Sequence, residues 1–152
     1  MEPRMTHPAR QVPGAMKAIL ALSEAAKGQG VDDQTLELVH LRTSQINRCE
    51  LCIQLHVNQA EQTGFPYSME EVEGWLQSDR FSDAERAALA LAEAATRIAD
   101  RDDPVSDELW AEATAHYSEP QLSAILVQIA AVNVWNRLNA TTRQDMSAFA
   151  PA

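Results

Sequence analysis

Cys49 and Cys52 are the only thiols in this chain of 152 residues, and His56 follows four positions after the second. A close thiol pair can cycle between dithiol and disulfide. An imidazole one helical turn away can move the proton that such a cycle needs. If the segment after Arg48 is helical, Cys49, Cys52 and His56 fall at i, i+3 and i+7 and share one face. Cys49 then sits in the first turn, where free backbone N–H groups and the helix dipole favour a thiolate.

Two elements must position this chemistry. Thr35–Asn47 reads as a helix, with Asp33 as its N-cap and Leu36, Leu38, Val39, Leu41 and Ile46 as apolar contacts. A chain reversal near Asn47–Arg48 would lay a second helix antiparallel to it. Glu37 lies ten residues before Asn47 and His56 nine after it. Equal rise per residue then brings the carboxylate and the imidazole to the same height. Glu37 becomes the group that orients and polarises His56, as carboxylates do for other catalytic histidines.

Each residue also has a plainer reading. A lone Cys is most often a small buried hydrophobe; the partner at i−3 and the histidine at i+4 argue against that for Cys52. The helix-terminus argument makes Cys49 the more acidic thiol, whereas proximity to His56 favours Cys52 as the attacking one. His40, three residues after Glu37, could face the same site, but an exposed histidine on a polar face is the simpler reading. His116 and Tyr117 read as structural. Asn133, Asn136 and Arg137 share one face of a late apolar helix and read mainly as structural hydrogen-bonding groups. The tryptophans read as core anchors. A zinc site built from Cys49, Cys52 and His56, with His40 or Glu37 as fourth ligand, is the competing chemistry. The tight spacing on one helix argues against it.

The residues Glu37, Cys49, Cys52 and His56, with the intervening LRTSQINRCELC, resemble the E-x11-C-x-x-C-x3-H signature of the AhpD-like alkylhydroperoxidase branch of the carboxymuconolactone decarboxylase family. The resemblance extends through NVWNRLN at Asn133–Asn139 and covers most of the chain. It implies an all-α AhpD-like domain and a thiol peroxidase in which Cys52 attacks and Cys49 resolves. It also implies alkyl hydroperoxides as substrates, a lipoyl-type dithiol or thioredoxin-like protein as reductant, and homo-oligomers, trimers or hexamers. Some hydroperoxidases of the family carry a histidine just before the second cysteine. Leu51 stands there in this chain, which implies a simpler relay or a lower activity. A non-catalytic redox-sensing module and lactone decarboxylation, the reaction that names the wider family, are the other readings. The cysteine pair has no evident use in the latter.

Composition sets the outer bounds. Lys and Arg number 12 against 22 Asp and Glu, a net charge of −10. Such an acidic balance argues against a nucleic-acid surface. No apolar run reaches membrane-spanning length, and the N-terminal stretch lacks a signal-peptide core. A cytoplasmic location is therefore expected, where a close cysteine pair is catalytic or metal-binding rather than a structural staple. No flavin, haem or nucleotide motif occurs, so no cofactor is expected.

Taken in order, the chain reads as one domain, residues 1–152, of six or seven helices. Residues 1–12 and 145–152 are expected to be flexible. A first helix should start near Pro13 and stop at Gly28–Gly30. The redox hairpin follows, ending at Gly64. Ser68 and Ser82 open capping boxes, the first with Trp75 and Leu76 as anchors downstream. The second starts an Ala-rich helix with Ala88, Leu89, Leu91, Ala92, Ala95 and Ile98 on its buried side. Ser106 caps a short helix, and Ser118 with Pro120 opens the last one, to about Ala140. That helix is apolar almost all round, so it should be central or lie at a subunit interface.

Overall fold

The computed structural model describes residues 2–149. Among them are eight α-helices and no strand. They are α1 (Pro8–Gln11), α2 (Ala15–Ala25), α3 (Asp33–Ile46), α4 (Glu50–Thr63), α5 (Met69–Glu73), α6 (Asp83–Thr96), α7 (Asp107–His116) and α8 (Glu119–Thr142). Single 3-10 turns follow α5 and α6. No helix among the described residues is long and apolar enough to cross a membrane.

Helix starts follow the side-chain chemistry. Ser68 and Ser82 form full capping boxes with Glu71 and Glu85, satisfying backbone donors that the first turn leaves free. Ser106 accepts from Leu109 N, and Gln121 accepts from Ser118 N. The cap of α3 is Asp32 rather than Asp33, its carboxylate accepting from Thr35 N at 2.7 Å. Gly64 closes α4 in the left-handed region, φ 72°, where a missing Cβ removes the steric cost.

Helix α3 lies between two apolar clusters. Leu36 and Val39 join Leu91, Ala92, Leu122, Ile125 and Ile129; Leu38 and Leu41 join Val72, Trp75, Phe81 and Leu89. Because α3 is buried on both sides, its remaining faces determine what the site can see. Arg42 and Glu93, both largely buried, pair at 2.6 Å, and Glu93 also accepts from Trp75 Nε1 at 2.8 Å. This binds α3, α6 and the turn after α5 together. Helix α8 packs on α2, α3, α4, α6 and α7, so it is central, as its apolar sequence implies.

Several expectations need correction. The segment before Pro13 is not loose: it holds α1, and both His7 and Ala9 are buried. Arg4 N donates to Thr142 O, and Gln144 donates to Met5 O. The first long helix begins at Ala15, two residues beyond Pro13. Ile98 and Leu76 are exposed, as is Trp110; Ile98 falls just past the end of α6, where the helical face no longer points inward. Residues 145–149 include a 3-10 turn, and 150–152 lie outside the described residues.

Candidate active site

The hairpin of α3 and α4 turns through Asn47 and Arg48. Cys49 N–H donates to Ser44 O at 3.0 Å and Arg48 N–H to Gln45 O at 3.1 Å, the two bonds of a Schellman closure. That closure needs a left-handed residue, and it falls on Arg48, φ 51°. An L-residue there costs roughly 1–2 kcal/mol, so surrounding contacts must hold the turn. They come from α8. Asn47 Nδ2 faces Asn133 Oδ1 and Asn136 Oδ1, each at 2.9 Å. Asn136 Nδ2 donates to Ser44 Oγ at 3.1 Å, and Arg137 donates to Asn133 Oδ1. The asparagine face of α8 is thus structural, and what it fixes is the turn that presents Cys49.

Cys49 is the N-cap of α4 rather than a first-turn residue, and Cys52 lies in the first turn. Both thiols are therefore close to the positive end of the helix. They are joined as a disulfide, with their Cα atoms 5.3 Å apart, and both are buried. Cys49 forms part of the wall of a cavity of about 290 Å³, with Arg48, Leu51, Asn139 and Arg143 around it.

One turn beyond Cys52, His56 Nδ1 lies 3.0 Å from Glu37 Oε2. The antiparallel register therefore does bring these residues level, across a sequence separation of 19. A carboxylate can only accept, so in the neutral ring of His56 the proton sits on Nδ1 and the lone pair on Nε2. Nε2 is buried and has no hydrogen-bond partner. Phe65 presents an edge-to-face contact to the ring, centroids 4.8 Å apart, and holds its plane. A second cavity, about 340 Å³, opens beside His56 between Leu41, Val57, Phe65, Tyr67 and Met69.

His40 is the residue that sequence reasoning placed wrongly. It is not an exposed polar-face histidine: its ring packs edge-on to His56, centroids 5.9 Å apart. A second imidazole thus reaches the site from α3, although Leu51 occupies the position next to Cys52. Burial pushes the His40 imidazole below its ordinary range, against a smaller upward pull from Glu37. Burial alone would raise the Glu37 carboxyl. The hydrogen bond from His56 and the nearby imidazoles outweigh it, so Glu37 sits below its usual value. The ligating atoms of Glu37, His40 and His56 lie within 4.8 Å of one another. The cysteines are outside that set, their sulfurs committed to each other. His116 bonds to Glu112 and Tyr117 OH to Ala84 O, both structural.

Two contacts to this site gave no signal in the sequence. Asn139 Nδ2 lies 3.4 Å from Cys52 Sγ, and Asn139 Oδ1 lies 2.9 Å from His7 Nε2. Asn139 was visible only as the last letter of NVWNRLN, and His7 only as part of an expected loose terminus.

The comparisons with known proteins bear on the family and the fold. The carboxymuconolactone decarboxylase family model matches residues 13–94. An uncharacterised protein of Bacillus subtilis, YdfG, is 32% identical over 128 residues, 84% of this chain and 86% of its own. An uncharacterised Escherichia coli protein, YnjA, is 33% identical over 114 residues, and the match spans 74% of this chain but only 61% of YnjA. A solved structure from Agrobacterium tumefaciens, of unknown function and suggested to be an antioxidant defence protein AhpD, superposes with a TM-score of 0.84 at 30% identity, covering 95% of this chain and 98% of that one. The apo debrominase Bmp8 shares the fold, with a TM-score of 0.74 at 22% identity over 90% of this chain and 73% of its own. With the family model spanning more than half of the sequence and the helical hairpin holding its Glu, Cys, Cys and His together, this chain belongs to the carboxymuconolactone decarboxylase family, in its AhpD-like form.

Proposed function

We propose that this protein is a thiol-dependent peroxidase acting on alkyl hydroperoxides. The observation that carries the reading is the Glu37–His56 pair, with Nε2 of His56 free, one turn from a Cys49–Cys52 pair able to close as a disulfide. In the reduced state His56 Nε2 takes the Cys52 thiol proton, and Glu37 steadies the imidazolium. The Cys52 thiolate attacks one peroxide oxygen. An S–O bond forms, the O–O bond breaks, and the leaving alkoxide takes the proton back from His56. Cys52 is now a sulfenic acid. The Cys49 sulfur attacks it and gives up its thiol proton to the departing hydroxide; the S–S bond forms, the S–O bond breaks and water leaves. An external dithiol, of lipoyl or thioredoxin-like type, restores both thiols by exchange.

The cavity at Cys49 supports this sulfur as the point of entry for the reductant. The cavity at His56, mostly apolar, suits the alkyl group. The chain acts as a single domain in a homo-oligomer, trimer or hexamer: α2 buries no residue of its own, and Val12, Leu20 and Leu22 are exposed on and just before it. A cytoplasmic setting suits the reductant chemistry. The test is hydroperoxide consumption with several dithiol donors, wild type against Cys52→Ser. Consumption that requires Cys52 is expected; no consumption with any donor, or an equally active Cys52→Ser, refutes the reading.

A further inference from the structure

His7, Asn139 and Cys52 form a buried line through three separate parts of the chain. Each is at most 4% exposed. The polarity of the line is fixed from its far end. Ala9 N–H can only donate, and it meets His7 Nδ1 at 3.1 Å. The lone pair of the neutral ring is therefore on Nδ1 and its proton on Nε2. Nε2–H donates to Asn139 Oδ1 at 2.9 Å, so the amide oxygen faces His7. The amide nitrogen must then face the other way, and it lies 3.4 Å from Cys52 Sγ. A flipped amide would set oxygen against oxidised sulfur and NH₂ against the histidine proton. The segment carrying His7 is itself pinned, through Arg4 N to Thr142 O and Gln144 to Met5 O.

We propose that Asn139 is a second control on the Cys52 sulfur: its N–H hydrogen-bonds the Cys52 thiolate, and His7 is the positioning residue that keeps the amide turned that way. A thiolate accepts a hydrogen bond far better than a thiol does, so a donor aimed at the sulfur favours the ionised form. His56 removes the proton from one side; Asn139 holds the resulting charge from the other. The same bond makes Cys52 the better leaving group when an external thiolate attacks Cys49, directing reductant to the cysteine that borders the cavity. The inference rests on the peroxidase reading for its use of Cys52, but the hydrogen bond can be measured without it.

The other charged groups near the disulfide are Glu37, His40 and His56 on α3 and α4, and Arg48, Glu50, Arg143 and Asp145 around the cavity. All are left unchanged in the test. The background is full-length Cys49→Ser, in which Cys52 is a free thiol. The rate of iodoacetamide alkylation of Cys52 against pH is compared with and without Asn139→Leu. Loss of one hydrogen bond to a charged group should move the midpoint up by about 1–2 pH units. His7→Phe should move it in the same direction, and His7→Gln, which retains a donor and an acceptor, should bring it back. An amide that merely tied the N-terminal segment to α8 would not move this profile. If Asn139→Leu does not fold, as judged by circular dichroism, the two His7 variants decide. A midpoint unchanged in folded Asn139→Leu, or in His7→Phe, overturns the proposal. If the midpoint shifts in a protein whose wild type consumes no hydroperoxide, the peroxidase reading falls and the hydrogen-bonded line stands; an unshifted midpoint in an active enzyme does the reverse.

Discussion

Glu37→Gln changes charge while leaving shape. Glutamine can still accept the Nδ1 proton across the 3.0 Å gap, so the tautomer of His56 and its free Nε2 persist. What is lost is the negative charge that steadies His56 once it holds the thiol proton. Unit charges about 4 Å apart attract by about 4 kcal/mol at an effective dielectric of about 20. The Glu37 side chain retains 23% exposure, and solvent screening reduces the effect to about 2 kcal/mol. Turnover of a small alkyl hydroperoxide, followed by substrate loss at saturating dithiol, should therefore fall about 30-fold. His56→Ala should fall further, by about 100-fold or more, since it removes the base itself. The double variant should be no worse than His56→Ala, because Glu37 acts only through His56. A Glu37→Gln enzyme within threefold of wild type, or a double variant whose loss is the product of the single losses, refutes the relay.

Further outcomes are expected. Cys49→Ser treated with one equivalent of peroxide should carry a trappable sulfenic acid on Cys52, located by peptide mapping; label on Cys49 in Cys52→Ser, and never on Cys52, would reverse the assignment of the nucleophile. Acid should destabilise the fold through two groups. Glu37, with its carboxyl lowered from 4.5, stabilises above that pH and loses this as pH falls through its folded value; His40, lowered from 6.5, costs stability as pH falls below 6.5, when the unfolded chain takes up a proton that the folded one resists. Urea midpoints of His40→Asn should accordingly vary less between pH 7 and 5 than those of wild type. Asn136→Leu strands Ser44 Oγ and one bond of Asn47, all in buried or half-buried surroundings; a loss of about 2–4 kcal/mol is expected, read as a drop in Tm of about 5–15 °C. Light scattering should give a multiple of the 16.8 kDa chain mass, and Leu20→Glu should reduce it if the exposed side of α2 is the contact.

The hairpin was legible because everything that defines it is local. A helix of known rise, a turn of known place and a second helix are enough to set Glu37 beside His56. Capping residues were legible for the same reason: Ser68, Ser82 and Ser106 act within one turn of their own position. Asp32 and Asp33 are neighbours with the same chemistry, and only the backbone decided between them. The contacts that escaped are long-range. His7 and Asn139 are 132 residues apart, and no periodicity in either segment points to the other. His40 was misjudged because α3 is buried on two sides, so a polar spacing there does not mark a solvent face. Ile98 failed for the opposite reason, with the helical pattern running on past the end of the helix.

The clamp on the Asn47–Arg48 turn bears on how freely this chemistry could be moved. Glu37, His56 and both sulfurs lie within residues 33–64, a stretch short enough to graft onto another helical scaffold. Yet the strained Arg48 turn depends on Asn133 and Asn136, and the sulfur of Cys52 meets Asn139, all beyond the 13–94 segment that the family model covers. A transplanted hairpin would carry the reagents without their frame. The turn could relax from the geometry that closes the disulfide, and Cys52 would take its acidity from whatever the new host placed opposite it. If the proposed roles hold, the motif specifies which reaction is attempted, while α8, whose contacts reach it across sequence separations of 86 to 89, sets how readily it proceeds; that helix could then diverge and retune the thiol while the signature itself stayed untouched.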